Sequence, residues 1–464
     1  MLKAAIDLLL FAPRSLKVGY DVSAPFFQMG AFTLARVADI PLEAVRWARG
    51  KPSARPVQRI GEMLGSAYAA FGVGRRLASE RKAFAAQPGV VSGLAAALRE
   101  FFTAQAMKDL FSGSITQETE IRAEKAIEAR PNYQLYKRGK LDLTTTQTSD
   151  PERMEEMFRS RFAKLIPGVG VSEAAFTAPA NVGRAIHFDV MLEAIGKNAD
   201  TVTQKELEDI GRFVNVWAGR GQRSHLAKTF GPLGDIMFAP KLFVSRIQAL
   251  TLDPLLRAHS WRMRAAIAGE YAKVLGGVGV VYLLGMAAGG DVDWDPLSST
   301  FLTIRFGDTR VNPTLGLNSL IVLGWRLVTG EKRTQSGRTV PIRGENVPYG
   351  SDRSWDLINK FFRMKLAPVP GAVISALGGE NPVGQPTTWG KEFVTLPIPL
   401  SVGEIYDAMV ANGVPGGMAL GILSMHGLRM NTWQKRPGRG PRFPSPIPKP
   451  PPPSPVYPMP TWGR

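Results

Sequence analysis

Apolar residues recur at intervals of three and four through most of this chain, a spacing that predicts a protein built mainly from α-helices. In the stretch 152–166, Met154, Phe158, Phe162 and Leu165 fall on one helical face. Leu94, Leu98, Phe101 and Phe102 mark another helix, expected to stop near Ser112–Gly113. The best-specified helix starts at Thr203, with Glu206 three residues on. That capping-box pair stands just ahead of Leu207, Ile210, Phe213, Val214 and Trp217. Gly219 is the natural residue to end it. Stripes of this kind predict helix-to-helix core rather than a cofactor-binding face.

The pattern changes in three places. FLTIRFGDTRVN, residues 301–312, alternates Leu302, Ile304 and Phe306 against Thr303 and Arg305, then turns at Gly307–Asp308, which predicts a β-hairpin. Residues 331–353 lack apolar periodicity and read as a loop, and Pro and Gly punctuate 367–417 so closely that only short helices fit. From Asn431 onward the proline-rich sequence supports only polyproline II or a disordered tether. The expected organisation is therefore a helical N-terminal region (1–112), a central helical region (113–290), a hairpin-and-helix region rich in Pro and Gly (291–430) and a basic Pro-rich tail (431–464).

One apolar run stands apart. Residues 274–290, VLGGVGVVYLLGMAAGG, carry no charge over 17 positions, at the lower edge of the ~17–25 residues that span a bilayer. Six of them are glycine, which together with the short length favours a buried core helix over a spanning one. The rival expectation is a helix that inserts into the host membrane in a second state. Arg257, Arg262, Arg264 and Lys273 precede the run and Asp291, Asp293 and Asp295 follow it, so its basic end would stay cytoplasmic. A shorter apolar run, Leu315–Leu323, could join it.

Charge adds a second direction. Lys and Arg number 57 against 39 Asp and Glu, a net charge of +18, which favours polyanionic partners. Arg46, Arg49, Lys51, Arg55 and Arg59 occur with no acid among them, and Arg436, Arg439 and Arg442 lie beside Phe443 in the tail. Both groupings suit phosphate contact, the second with base stacking. Neither resembles a base-reading motif, so binding to DNA would be independent of sequence and steeply salt-dependent. The competing reading of each patch is a solvated basic face.

Catalytic chemistry is thinly provided. The absence of cysteine excludes disulfides, thiolate metal sites and cysteine nucleophiles, and fits a cytosolic chain. His187, His225, His259 and His426 show no metal-binding spacing, and no Walker loop or nucleophile elbow occurs. Gly74–Arg75–Arg76 and Gly219–Arg220–Gly221 read as helix-ending turns with arginines, and Glu155–Glu156 as part of a solvated face. No catalytic, cofactor-binding or metal-ligating set is expected. The apolar stretch Ile6–Ala12 is short and interrupted by Asp7, unlike a secretory signal. Its abrupt start suggests a chain beginning where a longer relative would already be in progress.

Four blocks nevertheless resemble a recurring region of very large bacteriophage proteins, the large polyvalent or internal virion proteins. The first holds Asp21, Ser23, Ala24, Pro25 and Gln28, with Phe27 where the family usually has arginine. The second holds Asn181, Arg184 and Phe188. The third, FVNVWAGRGQRSHLAKTFGPLGDIMFAPKLFVSRI, matches through Asn215, Gly219, Arg220, Gly221, Phe238, Pro240, Leu242, Ser245 and Arg246. The fourth matches through Gly307, Thr309, Arg310, Pro313, Gly316, Arg326, Leu327, Thr329 and Gly330, with Asn312 where an aspartate is common. The resemblance implies a protein packaged inside the capsid and delivered with the genome. It implies phage DNA, other virion proteins, further copies of itself and the host inner membrane as partners, and it supplies no catalytic residue.

Overall fold

The computed structural model describes residues 30–40, 49, 127–143, 169–221, 237–334, 337–349, 351–381, 387–390, 392, 400–425 and 428–432. Helix accounts for 59% of these and strand for 9%, so the sheets are small inserts in a helical protein. The first helices are α1 (30–40), α2 (Tyr133–Arg138), α3 (Val169–Ala194), α4 (Gln204–Trp217), α5 (Pro240–Leu250), α6 (Asp253–Leu256) and α7 (Trp261–Ala287). Strands β1 (Asp291–Val292), β2 (Ile304–Phe306) and β3 (Thr309–Asn312) follow, then helix α8 (Asn318–Thr329) and strands β4 (Glu331–Arg333) and β5 (Thr339–Pro341). The chain continues through α9 (Ser354–Arg363), α10 (Pro368–Gly378), α11 (Leu400–Met425) and β6 (Arg429–Thr432).

Helix α4 forms where the sequence places it. Thr203 is extended, its hydroxyl accepts from the Glu206 N–H, and the Glu206 carboxylate accepts from the Thr203 N–H at 2.8 Å. Both partners of the capping box are thus satisfied. The apolar face that follows, Leu207, Ile210, Phe213 and Val214, is fully buried. Complete burial of one such side chain contributes roughly 1.5–3 kcal/mol. Phe32 and Ala35 of α1, Phe188 and Met191 of α3, Met263 and Ile267 of α7, and Leu315 close around it as one core. That core joins residues from three of the four regions read from the sequence.

The hairpin at 301–312 is present as β2 and β3, with Phe306 opposite Thr309 across a two-residue turn. Gly307 takes φ +58° there, which suits a glycine at the first turn position. Tertiary contact adds two strands that alternation does not reveal. β1 pairs antiparallel with β2, and β6 returns from far along the chain to pair antiparallel with β3, giving the order β1-β2-β3-β6. Met430 of β6 is buried against Val311 and against Ala408 of α11.

Two expectations need correction. Residues 331–353 are no bare loop: they contain the β4–β5 hairpin, with Lys332 opposite Val340. Asn431 and Thr432 belong to β6 rather than to a tether, because pairing with Arg310 and Thr309 supplies the order that their composition lacks. In the stretch 367–417, α10 spans 11 residues, and α11 is broken by non-helical backbone at Gly413. The stripes at 94–102 and 152–166 and the proline-rich stretch beyond Thr432 lie outside the described residues.

Candidate functional site

The residues of the phage-like blocks come together around one piece of backbone, residues 139–142, laid across α4. The Asn215 amide donates to the Lys140 carbonyl at 3.0 Å and accepts from the Asp142 N–H at 2.9 Å. Arg184, fully buried, donates to the Asp142 carbonyl at 3.0 Å and to the Asn181 side chain at 2.9 Å. Arg220 approaches the Asp142 carboxylate at 3.6 Å. Gly139 and Gly211 meet where α2 ends on α4. A Cβ at Gly211 would lie 1.8 Å from the Gly139 carbonyl oxygen.

Gly219–Arg220–Gly221 is the corner that ends α4. The Gly219 N–H donates to the Val216 carbonyl at 3.2 Å and the Arg220 N–H to the Asn215 carbonyl at 2.7 Å, with Gly219 at φ +82°. These two bonds form a Schellman C-cap. A Cβ at Gly221 would lie 2.5 Å from the Ser245 nitrogen, so the corner sits directly against α5. Pro240 opens α5 in the first turn, where its missing N–H costs no helical bond. Ser245 is buried and donates to the Leu242 carbonyl at 2.6 Å. Arg246 is buried too; desolvation, then the like charge of Arg429, pushes its guanidinium down to about 10.

The fourth block builds turns and strand contacts. Arg310 of β3 lies 3.8 Å from Asp293, whose carboxylate also accepts from Ser298 and Thr300 at 2.6 Å each. Burial would raise the Asp293 carboxyl, but these hydrogen bonds outweigh it and hold it below its ordinary value. Gly330, at φ +75°, ends α8 and donates to the Arg326 carbonyl at 2.9 Å. The Arg326 side chain reaches the Leu297 carbonyl through Nε at 2.9 Å and Nη2 at 2.7 Å.

A buried ionic network that sequence reasoning missed fastens α1 to the inner face of α7. Arg36 pairs with Glu270 and, at 2.9 Å, with Asp39. Lys273 reaches Glu270 at 2.7 Å and Asp39 at 3.4 Å, and His187 Nε2 stands 3.5 Å from Glu270. Phe32 stacks on the His187 ring with centroids 4.1 Å apart. Burial alone would raise the Glu270 carboxyl; His187, Arg36 and Lys273 reverse that and bring it down to about 2. The available signal was the matched spacing of Arg36 with Asp39 and of Glu270 with Lys273. A second acid–imidazole pair, Asp209 with His259 Nδ1 at 2.6 Å, also accepts the His259 N–H at 2.9 Å. It therefore fixes the turn that leads into α7.

These arrangements brace backbone and helix ends. Among the described residues, no group of three or more His, Asp or Glu is placed to hold a metal ion. Of the residues proposed for DNA contact, Arg49 is exposed, while Arg46, Lys51, Arg55, Arg59, Arg436, Arg439 and Arg442 lie outside the described residues. So do Asp21, Ser23, Pro25 and Gln28 of the first block.

Helix α7 contains most of the uncharged run 274–290, and it is the single helix among the described residues long and apolar enough to cross a membrane. Its inner face is buried through Met263, Ile267, Glu270, Val274, Gly277, Tyr282 and Gly285. At Gly277 a Cβ would lie 2.0 Å from the Leu34 carbonyl oxygen, so α1 crosses there in direct backbone contact. Yet only 28% of the most apolar 18 residues of α7 are buried, and Leu275, Leu283 and Leu284 are 70%, 64% and 64% exposed. Comparison of the chain with family models, curated proteins and solved structures gives no match.

Proposed function

We propose that this protein is a non-enzymatic component of a phage virion interior. It enters the host with the genome and assembles with copies of itself or with other virion proteins around the DNA path. The observation that carries this reading is the placement of the phage-like blocks. Asn181, Arg184, Asn215, Gly219, Gly221 and Ser245 all serve packing, capping or backbone bracing, and none lies beside a nucleophile. Residues shared for such reasons preserve a shape that other molecules fit. The surface supports the same reading, because Trp294, Trp325, Val328, Trp355, Leu377 and Tyr406 are all exposed, and exposed large apolar side chains are typical of interaction sites.

A second reading, an injected DNA-binding or antirestriction accessory protein acting in the host cytoplasm, draws on the net charge of +18. Mass spectrometry of purified particles decides between them. The virion reading expects the protein in particles that have been stripped of externally bound material. Its absence from particles, with the protein present in infected cells, would overturn that reading.

A further inference from the structure

The outer face of α7 carries a pattern that the fold of a single chain leaves without a purpose. Residues at intervals of three and four, from Ala265 to Met286, repeat on the side opposite the core. Two glycines stand in or beside this face, Gly269 and Gly279, and no atom of the described residues lies within 4 Å of a Cβ built on either. The contrast with Gly277 and Gly285 is direct: there a Cβ would meet Leu34 at 2.0 Å and Ile304 at 2.7 Å. Each glycine inside a helix costs about 1 kcal/mol relative to alanine. Inside the chain only the inner pair has a steric reason.

The outer face is also a palindrome in size. Reflected about the point between Leu275 and Gly276, Ala265 falls opposite Met286, Ala268 opposite Leu283, and Leu275 opposite Gly276. A small residue meets a large one in each pair when two such helices run antiparallel. A parallel pair would set Leu283 against Leu283 and leave gaps at the alanines. Charge agrees with the same direction: Arg262 and Arg264 are exposed at one end of the run and Asp291 at the other, so antiparallel copies bring opposite signs together.

We infer that a second copy of this chain docks on this face, α7 against α7, antiparallel about a two-fold axis between Leu275 and Gly276. An isologous contact of this kind is self-complementary, as the palindrome requires. Small residues let two helix axes approach closely, and the leucines of each copy fill the space over the alanines of the other. A lipid surface would gain little from Ala265, Ala268 and Gly279, which present scant apolar area. This inference goes beyond the virion reading and stands or falls independently of it.

The chain has no cysteine, so single-cysteine variants of the full-length protein test the geometry cleanly. Leu275→Cys, next to the axis, is expected to cross-link with itself under mild oxidation. Ala265→Cys alone is expected not to, but a mixture of Ala265→Cys and Met286→Cys chains should cross-link. Gly279→Leu, which fills open space, should lower the sedimenting mass from twice the 50.5 kDa chain to one chain, with an unchanged circular dichroism spectrum. Self-cross-linking of Ala265→Cys would mean a parallel pair and would overturn the proposal. So would a monomeric wild type, or one that floats with liposomes of anionic phospholipid through Leu275 and Leu283.

Discussion

Glu270 and Asn215 are buried polar residues with opposite demands. Asn215 is neutral, and both ends of its amide are satisfied by the backbone of residues 140 and 142. Glu270 is charged and 1% exposed, so it is tolerable only because Arg36, Lys273 and His187 surround it. Removing one member of such a buried group typically costs on the order of 3 kcal/mol. Glu270→Gln should therefore destabilise the protein near neutral pH by about that amount in urea denaturation. The pH dependence follows from the direction of the shift. The carboxyl is held down to about 2 in the folded chain against an ordinary value of 4.5. Its contribution is complete above 4.5 and is lost as pH falls toward 2. The stability gap between wild type and Glu270→Gln should close across that window, and a gap that stays constant would show that the network does not depend on the charge of Glu270.

At the scale of an element, α4 is fixed at both ends and along one face by different physics. Its start is a side-chain exchange between Thr203 and Glu206, reinforced by Lys197, which donates to Glu206 at 2.8 Å. Its end is a backbone device that needs φ +82° at Gly219. Between them, Gly211 allows the chain at Gly139 to approach the helix backbone. Alanine scanning should separate these roles. Gly219→Ala places a Cβ in the left-handed region at a cost of about 1–2 kcal/mol. Gly211→Ala has no such local remedy, since the contact at 1.8 Å is backbone to side chain and neither part can rotate away. The expected order in thermal melts is a modest fall for Gly219→Ala and a far larger one, or failure to fold, for Gly211→Ala. Equal effects would mean that the approach of α2 is not essential.

At the scale of the whole molecule, the charge of +18 is the property that local structure explains least. Much of the basic character among the described residues is tied up in the fold: Arg36, Arg184, Arg220 and Arg246 are all buried. DNA contact would then fall to exposed groups, of which Arg49 is one. Filter binding of full-length protein to two unrelated duplexes across a salt series tests this. If about 6–10 phosphates are contacted, affinity for both duplexes should fall by about 10³–10⁵ between 50 and 200 mM salt. A shallow slope would assign the charge to solubility.

The sequence by itself determined the mainly helical class, the start and end of α4, and the hairpin at 304–312, because each depends on neighbours a few residues apart. Thr203 needs only Glu206, and Gly307 needs only its own missing side chain. It also pointed to Asn215, Gly219 and Ser245 as residues that matter, without showing that their work is structural. Tertiary structure alone decided the rest. β1, β4, β5 and β6 are two to four residues long, too short to show periodicity, and exist because a distant partner completes their hydrogen bonds. The ionic network at Glu270 joins residues 234 positions apart, a separation across which no spacing rule operates. The same reason governs the uncharged run at 274–290. Its composition predicts a helix and leaves open which side is covered, and only the crossing of α1 at Gly277 tells the buried face from the outward one.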